Sequence, residues 1–183
     1  MEVIETKIND LLILKPQVFE DDRGWFMETY SYKKLKDNDI DINFVQDNHS
    51  LSMDKGTLRG LHFQINPKAQ TKLIRCTKGK ILDVAVDLRA GSPTYKEWVS
   101  IELTAENKKQ FLIPKGFAHG FLTLTDNVEV QYKVDEYYST EYDRSVLYND
   151  PELGVDWPID KPILSEKDKN APLLKDSDFN FKY

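Results

Sequence analysis

A chain of 183 residues suits a single domain over residues 1–183 and can bury roughly 70% of the surface its unfolded form would expose. Its 40% hydrophobic and 31% charged residues and net charge of -6 fit a soluble protein, and it lacks the basic excess of a nucleic-acid-binding surface. No stretch approaches the ~20 apolar residues that span a bilayer, the start MEVIETKINDLLILKP lacks a secretory pattern, and Cys76 is the only cysteine, so a cytoplasmic protein without membrane or nucleic-acid contact is expected.

In chain order, Leu11 to Val18 reads as apolar up to Lys15-Pro16, and Asp21-Asp22-Arg23-Gly24 is a turn before a strand-like stretch from Trp25 to Tyr30. Tyr32 to Asn38 is a short helix with Ser31 as its N-cap. A strand-like stretch holds His62, and Thr71–Thr77 leads through Lys78-Gly79-Lys80, a hairpin signal, into Ile81–Leu88. There Leu82, Val84, Val86 and Leu88 take one face and Asp83, Ala85 and Asp87 the other. Trp98–Leu103 alternates again, Glu106–Lys109 turns, Phe111–Ile113 follows, and Pro114-Lys115-Gly116 breaks the chain. His119–Leu124 and Val128–Val134 read as a hairpin across Thr125-Asp126-Asn127. Beyond residue 135 the chain is polar and irregular, with one helical turn at Ser165–Lys169. Turn signals about every 8–12 residues, with no long amphipathic helix between them, predict an all-β sandwich or small barrel.

Three histidines bound the chemistry: His49, His62 and His119, set 13 and 57 residues apart without the short spacings of a metal site. His62 lies in Leu58-Arg59-Gly60-Leu61-His62-Phe63-Gln64 and can serve as a base, hold a metal or fill space. Strand parity puts Lys72 with Ile74 and Cys76, and Tyr132 with Val128, Val130 and Val134, on apolar faces. Lys72 there either pairs with an anion or snorkels outward. Tyr132 either bonds to backbone or water, or acts as an acid across a cavity from a base. Arg59 suits a phosphate or carboxylate, and Arg23 reads as a solvent-facing turn residue. Residue types alone therefore describe a β-barrel with a polar cavity, an acid–base enzyme first and a binding module second.

A series of motifs carries a further signal: Phe19-Glu20-Asp21-Asp22-Arg23-Gly24, Gln46-Asp47-Asn48-His49-Ser50, Arg59-Gly60-Leu61-His62, Val86-Asp87-Leu88-Arg89, Ile113-Pro114-Lys115-Gly116-Phe117-Ala118-His119-Gly120-Phe121, Tyr132-Lys133, Asp156-Trp157-Pro158 and Leu164-Ser165-Glu166-Lys167-Asp168. In this order they resemble the dTDP-4-dehydrorhamnose 3,5-epimerase family from about residue 3 to about residue 174. The resemblance implies a cupin-like jelly-roll β-barrel with short peripheral helices and a C-terminal tail packed on the barrel. It also implies a homodimer acting without metal or cofactor on a dTDP-linked 4-keto-6-deoxyhexose, a precursor of the rhamnose of surface polysaccharides. By the same resemblance His62 is the base, Asp168 its orienting carboxylate, Tyr132 the opposite-face acid and Lys72 the group beside the C4 oxygen. Arg59, His119 and the partner subunit's Arg23 contact diphosphate or sugar; Gln46, Asn48, Phe19, Phe26, Glu28 and Tyr138 contact the nucleotide or sugar. The chain departs from the family pattern with Phe63 after the histidine, Thr140 for a proline and Asp143 for a glutamate, which leaves the hexose open. A sister enzyme inverting only C3 or C5 of another nucleotide-linked 4-keto sugar, or a non-catalytic sugar-nucleotide binding module, are the alternative readings.

Overall fold

The computed structural model describes residues 1–183. Thirteen strands follow one another as β1 Glu2–Glu5, β2 Leu12–Lys15, β3 Val18–Asp21, β4 Gly24–Met27, β5 Gln46–Ser52, β6 Leu58–Gln64, β7 Lys72–Lys78, β8 Lys80–Asp87, β9 Trp98–Thr104, β10 Gln110–Ile113, β11 Phe117–Thr123, β12 Val128–Val134 and β13 Asp143–Ser145. Two short helices, α1 Tyr32–Lys36 and α2 Glu166–Lys169, start at Ser31 and Ser165, whose hydroxyls accept from the backbone N–H groups of Lys34 and Asp168. A six-stranded sheet in the order β1-β2-β10-β7-β12-β5 faces a five-stranded sheet in the order β13-β6-β11-β8-β9, while β3 and β4 pair only with each other. Every pairing between these strands is antiparallel, and the result is a cupin-like jelly roll.

Two expected hairpins are absent. β7 and β8 lie in different sheets, and so do β11 and β12. The turns at Lys78–Lys80 and Thr125–Asn127 arch from one sheet to the other. Turn chemistry reverses the chain but does not choose its partner: β7 pairs with β10 and β12, and β11 with β6 and β8. β8 and β9, across a longer connection not read as a hairpin, do pair, with Val84 opposite Ser100. The strand after the Asp21–Gly24 turn ends at Met27 rather than Tyr30, and α1 stops at Lys36.

Three apolar clusters hold the layers. Between the sheets pack Ile74, Cys76, Val128, Val130, Phe111 and Ile113 from one side and Ile81, Ala85, Ile101, Leu103, Phe117 and Phe121 from the other. The second cluster covers the outer face of the five-stranded sheet, where Leu58, Leu61, Phe63, Val84, Val86 and Leu88 meet Val146, Leu153, Val155, Trp157, Leu174 and Phe181 of the C-terminal tail. Leu35 of α1 closes the third against Leu14, Leu73 and Leu112. Side chains of this size contribute about 1.5–3 kcal/mol each when fully buried. The alternation of β8 is thus as expected, yet its more apolar face turns away from the barrel toward the tail. The face with Asp83 and Ala85 lines the interior, and Asp83 is fully buried.

Backbone bonds pin the tail on both sides of α2. Leu58 donates to Ile163 O at 2.9 Å, Ile163 donates to Gly56 O at 2.8 Å, and Leu147 donates to Pro172 O at 2.8 Å. Asp150 accepts from the N–H of Leu174 at 2.7 Å. This clamp carries α2 to the mouth of the barrel. No helix is long and apolar enough to cross a membrane.

Candidate active site

β6 supplies Arg59 and His62, which a regular strand would place on opposite faces because they are three residues apart. A bulge changes this. His62 pairs with His119 and Arg59 with Phe121, so the register shifts by one residue between them. Gly60, with φ at +132°, makes the shift possible: a Cβ there would sit 2.5 Å from the Cα of Gly120. Leu58, Leu61 and Phe63 consequently point into the tail-covered core, while Arg59 and His62 both face the interior.

The interior is a cleft with two lobes. One, of about 360 Å³, is lined by Arg59, His62, Lys72, His119, Tyr132, Ser165 and Asp168 together with Ser50, Phe121 and residues 163–164. The other, of about 230 Å³, is lined by Gln46, Asn48, Gln64, Tyr138, Asp143 and Lys167, and again by His62, Lys72 and Tyr132. The two lobes meet at these last three side chains.

His62 donates from Nε2 to Asp168 Oδ1 at 2.5 Å, across 106 residues of sequence. The other carboxylate oxygen accepts from the Ser165 hydroxyl at 2.8 Å. Burial works against an ionised Asp168, but the bonds from His62 and Ser165 outweigh it and hold the carboxyl below its ordinary range. With Nε2 engaged, Nδ1 is the ring nitrogen left for the cleft.

Lys72 opens β7 with its side chain inward, as parity requires. Its ammonium makes no ion pair and only a long contact, 3.5 Å, to the carbonyl oxygen of His62. Burial lowers its pKa to about 8, against the opposing fields of Asp83 and Asp143. Tyr132 stands on β12, in the sheet opposite His62, between Ile74 and Asn48. Its hydroxyl has no protein partner, and burial raises its pKa.

Each histidine has its own carboxylate. His119 donates from Nε2 to Asp83 at 3.0 and 3.1 Å, inside the barrel. His49 bonds Glu129 on the outer face of the six-stranded sheet, away from the cleft. No three His, Cys, Asp or Glu side chains converge as a metal site would need.

Other expected residues divide into two groups. Arg59 reaches the Ser52 hydroxyl at 3.1 Å and Leu51 O at 3.2 Å. Gln46 donates to Asn48 at 2.9 Å and accepts from the N–H of Tyr138. Tyr138 donates to Asp143, which also binds Lys167 at 2.5 Å. By contrast, Phe19, Arg23, Phe26 and Glu28 line neither lobe within one chain. They belong to the free β3–β4 hairpin and the residue beyond it, where Arg23 is held by Asp21 and Glu28 by Lys34.

Sequence reasoning did not single out Ser50, Gln64, Ser165 or Lys167, which line the cleft, nor Asp83, which bonds His119 beneath it. Asp83 read only as sharing one face of a strand with Ala85 and Asp87, and Ser165 as the start of a helical turn.

Known proteins resemble this chain over nearly its whole length. A family model described as dTDP-4-dehydrorhamnose 3,5-epimerase matches residues 5–176. A relative from Salmonella typhimurium bearing that name is 51% identical over 176 residues, covering 95% of this chain and 96% of its own. The crystal structure of the Bacillus anthracis str. Ames enzyme of that name, with TDP and PPi bound, superposes with a TM-score of 0.93 at 55% identity, covering 94% of this chain and 99% of its own. A dTDP-6-deoxy-D-glucose-3,5-epimerase from Legionella pneumophila in complex with dTDP-4-keto-L-rhamnose gives 0.92 at 45% identity over 97% and 94% of the two chains. The chain belongs to the dTDP-4-dehydrorhamnose 3,5-epimerase family.

Proposed function

We propose that the protein converts dTDP-4-dehydro-6-deoxy-D-glucose to dTDP-4-dehydro-L-rhamnose by inverting C3 and C5 of the hexose. The observation that carries this reading is the meeting of His62, Lys72 and Tyr132 where the two lobes join, with base and acid on opposite sheets. The C4 ketone acidifies the protons on C3 and C5. Nδ1 of His62 takes one of them, the C–H electron pair becomes a C=C bond to C4, and the carbonyl π pair moves onto the C4 oxygen. The Lys72 ammonium stabilises that oxyanion where it forms. Tyr132 then returns a proton from the other face, the carbonyl re-forms, and the carbon is inverted. Asp168 balances the imidazolium and fixes the tautomer that exposes Nδ1.

The reading treats residues 1–183 as one cytoplasmic domain that works as a homodimer without cofactor. Phe19 and Phe26 face each other on β3 and β4 and are 51% and 64% exposed, and the hairpin has no place in either sheet of its own chain. Such an arm can bring Arg23, Phe19, Phe26 and Glu28 into the cleft of a second copy. Mixing Arg23→Ala with His62→Ala chains tests this. Mixed dimers then contain one site with both residues, so activity returns; a mixture as inactive as its parts excludes the cross-subunit contact.

The reaction itself is tested by solvent deuterium. Incorporation at both C3 and C5 of the 4-keto sugar supports the reading. Deuterium at one carbon indicates a single epimerase, and tight binding without incorporation indicates a binding module.

A further inference from the structure

We propose that Asp83 is a positioning residue for the proton transfer: from the floor of the barrel it fixes His119 as a hydroxyl acceptor and keeps Lys72 charged. The inference rests on the epimerase reading and adds to it a residue outside the His62–Tyr132 pair.

Asp83 sits in the middle of β8, between Phe121 of β11 and Ile101 of β9, with no solvent exposure. An isolated buried carboxylate is costly, and a negative charge near a developing enolate works against the reaction. Its partners account for it. Both carboxylate oxygens accept from the same atom, His119 Nε2, at 3.0 and 3.1 Å, and no other side chain bonds to it. The proton of a neutral His119 is thereby assigned to Nε2. His119 Nδ1 then carries a lone pair and makes no hydrogen bond within the chain, and the ring lines the cleft. A lone pair accepts from a hydroxyl and repels a phosphoryl oxygen. Burial holds His119 below the ordinary histidine pKa, so this neutral form is the one present near neutrality. The ligand atom facing His119 is therefore a hexose hydroxyl.

The second effect is electrostatic. The groups facing Lys72 are His62 on β6, Asp83 on β8, His119 on β11, Tyr132 on β12, Asp143 on β13 and Lys167 on α2. Of the two carboxylates, Asp143 is already bonded to Lys167. Asp83 bonds no side chain but that of neutral His119, and its field favours the charged ammonium. Removing that charge leaves Asp143 alone against burial and Lys167, so the Lys72 proton is lost at lower pH.

Two substitutions separate the effects. Asp83→Asn keeps an acceptor for His119 and removes the charge; Asp83→Leu removes both. For Asp83→Asn, the expected result is a fall in kcat of about tenfold or more at pH 8, a KM within about threefold of wild type, and an alkaline limb of kcat/KM moved to lower pH. Asp83→Leu adds a rise in KM of about tenfold. Nitrogen-15 NMR of histidine-labelled wild-type protein, which needs no variant to fold, should show His119 protonated on Nε2 and not on Nδ1 at pH 7.5. A protonated Nδ1, or an Asp83→Asn enzyme with an unshifted alkaline limb, overturns the proposal. Wild-type protein that exchanges no substrate protons overturns the epimerase reading instead, so the two failures are distinct.

Discussion

Two histidine–aspartate pairs sit side by side on neighbouring strands and behave differently because of what holds each aspartate. His62 takes its carboxylate from the tail, through a helix of four residues clamped at Ile163 and Pro172. His119 takes its own from the adjacent strand of the same sheet. The His62 side chain is 31% exposed and that of His119 only 10%. The carboxylates also diverge: bonds to His62 and Ser165 depress Asp168, whereas burial raises Asp83. An open pair with a firmly ionised aspartate can take up a proton and pass it to solvent. A sealed pair can hold a tautomer but exchanges protons poorly. One residue type thus serves turnover or orientation according to water access and origin of its partner.

Breaking the open pair has the largest effect. His62→Ala should abolish deuterium incorporation at both carbons, a loss of about 10⁴-fold, while binding of dTDP persists. If the variant still exchanges either position, the base for that carbon lies elsewhere.

Asp168→Asn keeps the shape of the open pair and removes its charge. A fall of about 10³-fold in kcat with little change in KM is expected, because the imidazolium loses its counter-ion only as it forms. A change confined to KM would make Asp168 a binding residue. Tyr132→Phe acts on the opposite wall. Deuterium exchange by His62 should continue while inversion falls about 10²-fold, so exchange and product formation separate. Equal loss of both would mean that Tyr132 does not deliver the second proton.

How much of this was legible in the sequence depends on what each signal reports. The period of two in β7, β8 and β12 grouped Lys72 with Ile74, Asp83 with Ala85 and Tyr132 with Val130 correctly, because alternation is a local property. It did not say which face of β8 looks inward, since the tail covering Leu82, Val84 and Val86 lies some 60–100 residues further on. β5 escaped notice for the opposite reason: Gln46, Asn48 and Ser50 line the cleft, so the strand has no apolar face to show. Arg59 and His62 share a face only through the bulge at Gly60, which no alternation rule predicts. The pairing of His62 with Asp168 across 106 residues came from resemblance alone. The residues with local signals were found, and those set by long-range packing were not.

Lys72 stands between the two pairs, and its smallest measurable effect is on stability. Its pKa of about 8 in the folded protein lies below the ~10.4 of an unfolded chain. Between these values the unfolded state binds more protons, so stability rises with pH through that window, and the cost of the buried ammonium is fully present below it. Lys72→Met removes that cost. The variant should be more stable than wild type by about 1–3 kcal/mol at pH 7, allowing for screening by water in the cleft, or several degrees in Tm. The advantage should shrink as pH rises from 8 to 10, while epimerisation is lost at every pH. A stabilised but inactive variant would show that the ammonium is kept for the enolate at the expense of the fold. A variant destabilised throughout would mean that Lys72 is held by its stem packing and that its charge costs the fold little.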